Sequence, residues 1–367
     1  MRIERIELRE LSLRLRERFE ISSGWTEARR IVLVSLHADG CTGWGECVQG
    51  ESPNYSYETT DTAWHILTDF VLPAVVGLDV GEPSEVVGPV EWIRGHRMAL
   101  AGVEMAAWDL WAKLSGVPLA EAIGGSVKAL PVGVSIGLQA TDDDLLRKVE
   151  GYLAEGYAKI KMKIKPGRDV EMLGRVRERF PEAPLMVDAN SAYTLNDVPR
   201  LEELDGLGLL MIEQPLAHDD YLDHARLQDR MSTPICLDES IRCLGDARLA
   251  AHLKACRIIN IKPGRVGGFR ESLRIHDFCR AAGMPVWCGG MLESGVGRAH
   301  NLALASLPGF TLPGDISASR RYWEQDIVTP EFELSDGAMQ VPEGVGIGVE
   351  PDLERIDSIT VRSAAFQ

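Results

Sequence analysis

In five short runs, KIKMKIKPG, LMVDAN, LLMIEQP, PICLDES and INIKPG, a β-branched strand pattern ends in an acid or a lysine. The residues Lys163, Asp188, Glu213, Asp238 and Lys262 recur about every 25 positions, the length of a compact strand-plus-helix unit. Such a chain must lay parallel strands side by side with helices between them. Side chains alternate faces along a strand. Lys161 therefore lies with Lys163, Asp188 with Asn190 and Asn260 with Lys262, while Ile160, Met162, Val187, Ile212 and Ile261 face the other way. The apolar face is expected to meet helices. The polar face is expected to line a barrel interior at the carboxyl ends of its strands, where barrel enzymes carry their chemistry.

The repeat begins near Leu130 and predicts eight strands: ALPVGVSIG, AKIKMKI, APLMVDAN, LGLLMIE, TPICLDE, CRIINIK, MPVWCGG and FTLPGDI. Between them, stretches such as DDLLRKVEGYLAEGY and FRESLRIHDFCRAAG have helical periodicity and end in glycine, a common helix terminator. Residues 1 to about 50 instead alternate as β structure, with an Ala-Asp-Gly turn that predicts a hairpin. Two polar, glycine-bearing loops are expected at 20–29 and 48–57. Helical periodicity follows from about Ser56 and is strongest in HRMALAGVEMAAWDLWAKLSG, before a Gly-Val-Pro stop. After Ser319 the segments EFELSDGAMQV and ERIDSITVRS read as antiparallel strands returning to the first domain. The expected division is an α+β cap over 1–125, a barrel over 126–319 and a returning segment over 320–367.

A chain of 367 residues that is 45% hydrophobic can bury a substantial core, and two domains fit its length. A formal charge of −16 disfavours phosphate backbones and anionic lipid, so neither nucleic acid nor membrane is an expected partner. The opening MRIERIELRELSLRLRERF interleaves charge too often for a signal peptide, and no stretch has the apolar length of a membrane span. Seven cysteines without CxxC spacing read as reduced thiols of a cytoplasmic protein.

Three carboxylates at successive strand ends, Asp188, Glu213 and Asp238, are expected to converge as the barrel curves. Without a cation they would repel one another and raise their own pKa values. All-oxygen ligation suits Mg²⁺ or Mn²⁺, and none of the eight histidines stands in HExxH or HxH spacing. Any one such acid is commonly a solvated loop residue; three at matched strand ends point to a metal. Lys161, Lys163 and Lys262 flank the acid row on strands expected to face each other. A lysine beside a divalent cation and other ammonium groups has its charged form disfavoured and becomes a usable base. Alone, KIKMKIK would read as an exposed amphipathic strand. Arg265 suits either of two roles, depressing the pKa of Lys262 or forming a surface ion pair. The set suits proton abstraction next to a carboxylate, with lysine as base and the metal stabilising an enediolate. GVGIG and GRVGG lack the strand-GxGxxG-helix context of a dinucleotide site.

The segments GWGEC, HRMALAGVEMAAWDL, GVSIG, KIKMKIKPG, VDANSAYTL, IEQPL, PICLDES, NIKPGRVGG, VWCGGMLESGVGRAHN and LPGDISAS resemble those of the enolase superfamily. Within it they resemble the N-succinylamino acid racemase/o-succinylbenzoate synthase family over nearly the full length. IEQP occurs across the superfamily; KxK followed by NIKPGRVGG and GGMLESGVGRAHN is far more specific. The resemblance implies a modified TIM barrel, (β/α)₇β, with an α+β capping domain. It implies Mg²⁺ on Asp188, Glu213 and Asp238, an opposed acid/base pair in Lys163 and Lys262, and electrostatic support from Lys161. It places Ser135, Asn190, Gly290 and Met291 at the substrate, with Phe19 and Tyr55 from the two cap loops. The first of those loops departs from its relatives, with Ser23 where an aromatic is frequent and Trp25 nearby. The implied activities are racemisation of N-succinylamino acids and dehydration to o-succinylbenzoate for menaquinone synthesis, in a homo-oligomer acting on a small carboxylate. Dipeptide epimerase or cycloisomerase activity is the alternative within the superfamily. A non-catalytic metabolite-binding barrel would keep the acids but has no use for lysines on both sides.

Overall fold

The computed structural model describes residues 1–367. Seven parallel strands form one curled sheet, in the order Gly133–Ile136, Lys159–Lys163, Leu185–Asp188, Ile212–Glu213, Ile235–Leu237, Ile258–Ile261 and Val286–Cys288. Chain order equals spatial order, as expected for right-handed strand-helix-strand crossovers that all turn the same way. The alternation read from the sequence appears directly in the packing. Ile160, Met162, Val187, Ile212 and Ile261 belong to the large core shared with the surrounding helices. Met186, Met211, Cys236, Ile258 and Trp287 form a small separate core inside the curl.

The eighth predicted strand is not a strand. Segment 310–315 touches both edges of the sheet through single bridges, Val132 with Gly314 and Val286 with Phe310. Gly133 N donates to Gly314 O and Asp315 N to Cys288 O. Pro313 has no N–H to give a ladder, so the segment joins the two edges without regular pairing.

The amino-terminal unit is an antiparallel sheet, Arg5–Ile21, Gly24–Ala38 and Cys41–Cys47, backed by the helix Arg97–Ser115. The predicted tight turn is present: Ala38 pairs with Cys41 across Asp39 and Gly40, both at positive φ. Segment 20–29, expected as a loop, is instead the far arm of a long hairpin. The strands run on to Ile21 and from Gly24, with a register irregularity between Arg14 and Phe19. The helix Arg97–Ser115 ends at Gly116 in the left-handed region, where the Gly-Val-Pro stop placed it. One of its faces packs in the cap core through Ala99, Val103 and Leu110, and the other in the barrel core through Ala101, Met105 and Ala112.

The carboxyl-terminal tail divides. Its hairpin, Leu334–Ser335 with Ala338–Gln340, pairs with Ala129–Pro131 at the foot of the barrel, not with the cap. ERIDSI is a helix, Leu353–Ile359, started by Asp352 accepting from Arg355 N. Thr360–Phe366 then lies antiparallel to the first strand of the cap sheet. No helix is long and apolar enough to cross a membrane.

Two cap carboxylates bind the amino termini of barrel helices. Glu46 accepts from Ser294 Oγ at 2.5 Å and Gly297 N at 3.1 Å, at the start of Gly295–Ala305. Glu104 accepts from Phe269 N at 2.7 Å, Arg270 N at 2.9 Å and Trp108 Nε1 at 2.9 Å. A Cβ on Gly268 would stand 2.1 Å from Glu104 Oε2, so only glycine permits this approach. Burial pushes Glu104 up to about 7 from 4.5, against those donors. Between these values the folded chain keeps a proton that the unfolded chain has lost. The stability from this group is therefore present below about pH 4.5 and lost as pH rises through 7. Glu104→Ala should destabilise the fold by about 2–4 kcal/mol, since it strands the buried Phe269 N–H and the half-buried Arg270 N–H. Its deficit in urea unfolding should be larger at pH 5 than at pH 8; the reverse order would contradict a raised carboxyl.

Candidate active site

The polar strand ends meet in neighbouring rows. Lys163 pairs across with Asp188, and Asp188 with Glu213. Glu213 lies opposite Cys236, two residues before Asp238, and Cys236 opposite Ile258, two before Asn260. The strand bearing Lys161 and Lys163 and the one leading to Lys262 are separated by three others, so the curl brings them to opposite walls of one cleft. That cleft holds about 890 Å³ of empty space, part of it open to solvent. Phe19, Tyr55, Ser135, Asn190, Gly290 and Met291 line it together with Lys161, Lys163 and Lys262. Asp188, Glu213 and Asp238 lie beneath, each buried.

Backbone turns past the strand ends aim these groups. Asn190, Ser191, Gln214 and Leu292 all adopt positive φ, an uncommon conformation that surrounding contacts must hold. Gln214 shows how: its Oε1 accepts from Asp238 N at 3.0 Å, and its Nε2 donates to Ser240 Oγ at 2.8 Å. Asn190 N donates to Asp188 Oδ1 at 2.9 Å, and its Nδ2 to Glu239 Oε1 at 2.8 Å.

Each acid is held by a cation. Lys161 Nζ lies 2.9 Å from Asp188 Oδ2, 2.6 Å from Glu213 Oε2 and 3.1 Å from Asp315 Oδ2. Lys163 Nζ donates to Asp188 Oδ2 at 2.6 Å and Asn190 Oδ1 at 2.7 Å. On the other wall Lys262 Nζ donates to Asp238 Oδ2 at 2.8 Å and Tyr55 Oη at 3.0 Å. Arg265 binds Asp238 Oδ1 and Tyr55 Oη. It is buried, so the surface ion pair considered for it is not what forms.

These contacts set the protonation of the site. Burial works to raise Asp188 and Asp238, but Lys161 and Lys163 at the first, and Lys262 and Arg265 at the second, hold both low. Burial, followed by the charge of Asp188, pushes Glu213 up to about 7. Glu239 is pushed up to about 8 by burial and then by Asp238 and Asp188. Burial opposes the ammonium form of Lys161 and Lys262, yet their carboxylate partners outweigh it and both pKa values rise. The closest charged neighbours of both ammonium groups are carboxylates. Arg265 does pull Lys262 downward, but less than Asp238 pulls it up.

The donor set suits a hard divalent cation, being three buried carboxylates without histidine or cysteine. Glu213 Oε2 has no hydrogen-bond partner; Lys161 is close enough for an ion pair but off the hydrogen-bonding line. Curvature alone does not gather the acids into a ready ligand shell, as the sequence led one to expect. The Lys161 ammonium stands between Asp188 and Glu213.

Sequence reasoning passed over four groups. Lys159 shares the face of Lys161 and Lys163 by the same alternation, and its Nζ lies 3.5 Å from the Trp287 ring centroid and 3.2 Å from Asp315 Oδ1. Asp315 sits in LPGDI, where no regular strand marks its direction. Glu239 lies past Leu237, the end of its strand, where alternation no longer applies. Arg29 lines the cleft from the cap, in the segment read as a loop.

Residues 144–356 match the family described as enolase C-terminal domain-like, and residues 5–124 match the mandelate racemase/muconate lactonizing enzyme N-terminal domain. The chain is 53% identical over 365 residues to the o-succinylbenzoate synthase of Geobacillus stearothermophilus, covering 99% of this chain and 97% of that one. It is 53% identical over 361 residues to the N-succinylamino acid racemase of Thermus thermophilus, covering 98% of each. A crystal structure of an enolase superfamily member from Listeria innocua superimposes with a TM-score of 0.95 at 42% identity, covering 99% of this chain and 98% of that one.

Asp315 separates two buried ammonium groups, Lys159 and Lys161. Asp315→Ala should destabilise the protein by about 3–5 kcal/mol, the cost of leaving a buried ion without its partner. Adding Lys159→Met should restore part of that loss in urea unfolding. No recovery in the double variant would show that the Lys159 charge is not what Asp315 balances.

Proposed function

The chain belongs to the enolase superfamily, and we propose that within it the protein is an Mg²⁺-dependent N-succinylamino acid racemase that also has o-succinylbenzoate synthase activity. The observation that carries this reading is the pair Lys163 and Lys262 on opposite walls of one cleft, with buried carboxylates between them. Relatives similar over nearly their whole length bear both names.

Asp188, Glu213 and Asp238 would hold the metal, with Mn²⁺ as a substitute. When bound, it would supply positive charge for the substrate carboxylate as negative charge develops there. Lys163 would remove the α-proton from one face and Lys262 would deliver a proton to the other, or the reverse for the opposite enantiomer. Lys161 would remain charged and support the enediolate. Syn dehydration can use Lys163 for both proton transfers, leaving Lys262 as a stabilising cation. The same intermediate serves both outcomes, so the choice between them rests on how Phe19, Tyr55, Ser135, Asn190, Gly290 and Met291 hold the substrate. Asn190 also fixes Lys163, whose Nζ it accepts from. The expected setting is cytoplasmic, with a small carboxylate as substrate and a homo-oligomeric enzyme.

In D₂O, wild type should exchange the α-proton of both enantiomers of an N-succinylamino acid, and Lys163→Ala and Lys262→Ala should each lose exchange with one enantiomer preferentially, by about 10²-fold or more. If both variants retained exchange with both enantiomers, the two-base reading would be wrong. Glu213→Gln should weaken Mg²⁺ binding and abolish turnover while unfolding remains cooperative. Full activity after exhaustive chelation would remove the metal from the account.

A further inference from the structure

Arg29 and Arg30 follow one another on the strand Gly24–Ala38, so they point to opposite faces. Arg30 faces outward and has Glu10 at 2.7 Å and Asp61 at 2.9 Å. Arg29 faces inward, is 6% exposed and lines the substrate cleft. Its one hydrogen bond runs from Nη2 to Val48 O at 2.7 Å, and its Nε is buried without a partner. It takes part in no ion pair. The other cations lining the cleft differ: Lys161, Lys163 and Lys262 are each within 2.8 Å of a carboxylate oxygen.

Burying a guanidinium without a carboxylate is costly, and arginine is seldom buried unless paired. The acids that act on Arg29 through space are Glu46, Glu293 and Glu51. Glu46 is already bound by Ser294 and Gly297, Glu293 Oε1 by Asn301, and Glu51 is exposed to solvent and forms no hydrogen bond with Arg29. Arg29 therefore keeps its donors and its charge for something in the cleft. Its planar fork matches a carboxylate in two-point contact.

We infer that Arg29 binds a second carboxylate of the substrate, at the far end of its acyl arm, so that the site selects N-acyl groups that end in a carboxylate over neutral ones. This deepens the function proposed above and rests on it for the identity of the acyl compound. The cap thus contributes the charge that reads the acyl arm, while the barrel wall contributes the lysines that act at the α-carbon.

The test compares two ligands on one protein. Calorimetry with the Mg²⁺-loaded enzyme measures the affinity for N-succinylglycine and for its analogue with the terminal carboxylate replaced by a carboxamide. Wild type should prefer the carboxylate by about 10- to 100-fold, the range of a charge-assisted hydrogen bond. Arg29→Gln should bring the two affinities within about threefold, and Arg29→Lys should keep part of the preference. Equal affinities in wild type, or an undiminished preference in Arg29→Gln, overturns the assignment. The wild-type comparison needs no variant, so misfolding of Arg29→Gln cannot shelter the idea. Proton exchange in D₂O is read separately. A carboxylate preference without exchange defeats the proposed reaction and leaves the Arg29 site standing. Exchange without that preference does the opposite.

Discussion

The structure depends on the balance of charge buried at the strand ends. Asp188, Glu213, Asp238, Glu239 and Asp315 are all withdrawn from water within one curled sheet, and Lys159, Lys161, Lys163, Lys262 and Arg265 are withdrawn with them. Either set alone would be prohibitive. Together they interlock, because Lys161 touches three acids and Asp238 two cations. The balance is incomplete, however. Glu213 and Glu239 each keep one oxygen without a hydrogen-bond donor, and burial with the neighbouring carboxylates pushes both of them up.

The cap is fixed to that barrel by polar contacts as well as apolar ones. Glu46 and Glu104 reach from cap elements to the starts of two barrel helices, where exposed N–H groups and the helix dipole favour a carboxylate. The helix Arg97–Ser115 packs into both cores. Tyr55, from a cap loop, bonds Lys262, Arg265 and Asp238 directly. A shift of the cap would therefore alter the charge network on the Lys262 wall.

How much the sequence reveals depends on whether a regular strand governs the residue. Period-two alternation correctly separates Ile160 and Met162 from Lys161 and Lys163, and the 25-residue spacing brings Asp188 beside Glu213 in register. Lys159 obeys the same rule and needed only one more step of it. The rule fails where strands stop. Glu239 follows Leu237, Asp315 follows Pro313, and their directions come from tertiary contacts no local pattern records. Arg29 was hidden differently: serine, glycine and mixed charge in ISSGWTEARR look like a loop, yet the hairpin pairs Arg29 with Leu13 and turns it inward. The tail misleads because ERIDSI alternates as well as a strand does, while the Asp352 cap starts a helix.

The central claim is that one buried charge network serves α-proton chemistry from both walls of the cleft. The most direct test is the ratio of kcat/KM for racemisation of N-succinylamino acids to kcat/KM for dehydration of the cyclohexadiene precursor of o-succinylbenzoate, measured on one preparation, since it compares transition-state stabilisation in the two reactions. The account predicts that both reactions are measurable and that both fall when Lys163 is replaced. Turnover of dipeptides alone, with neither reaction detected, would contradict it.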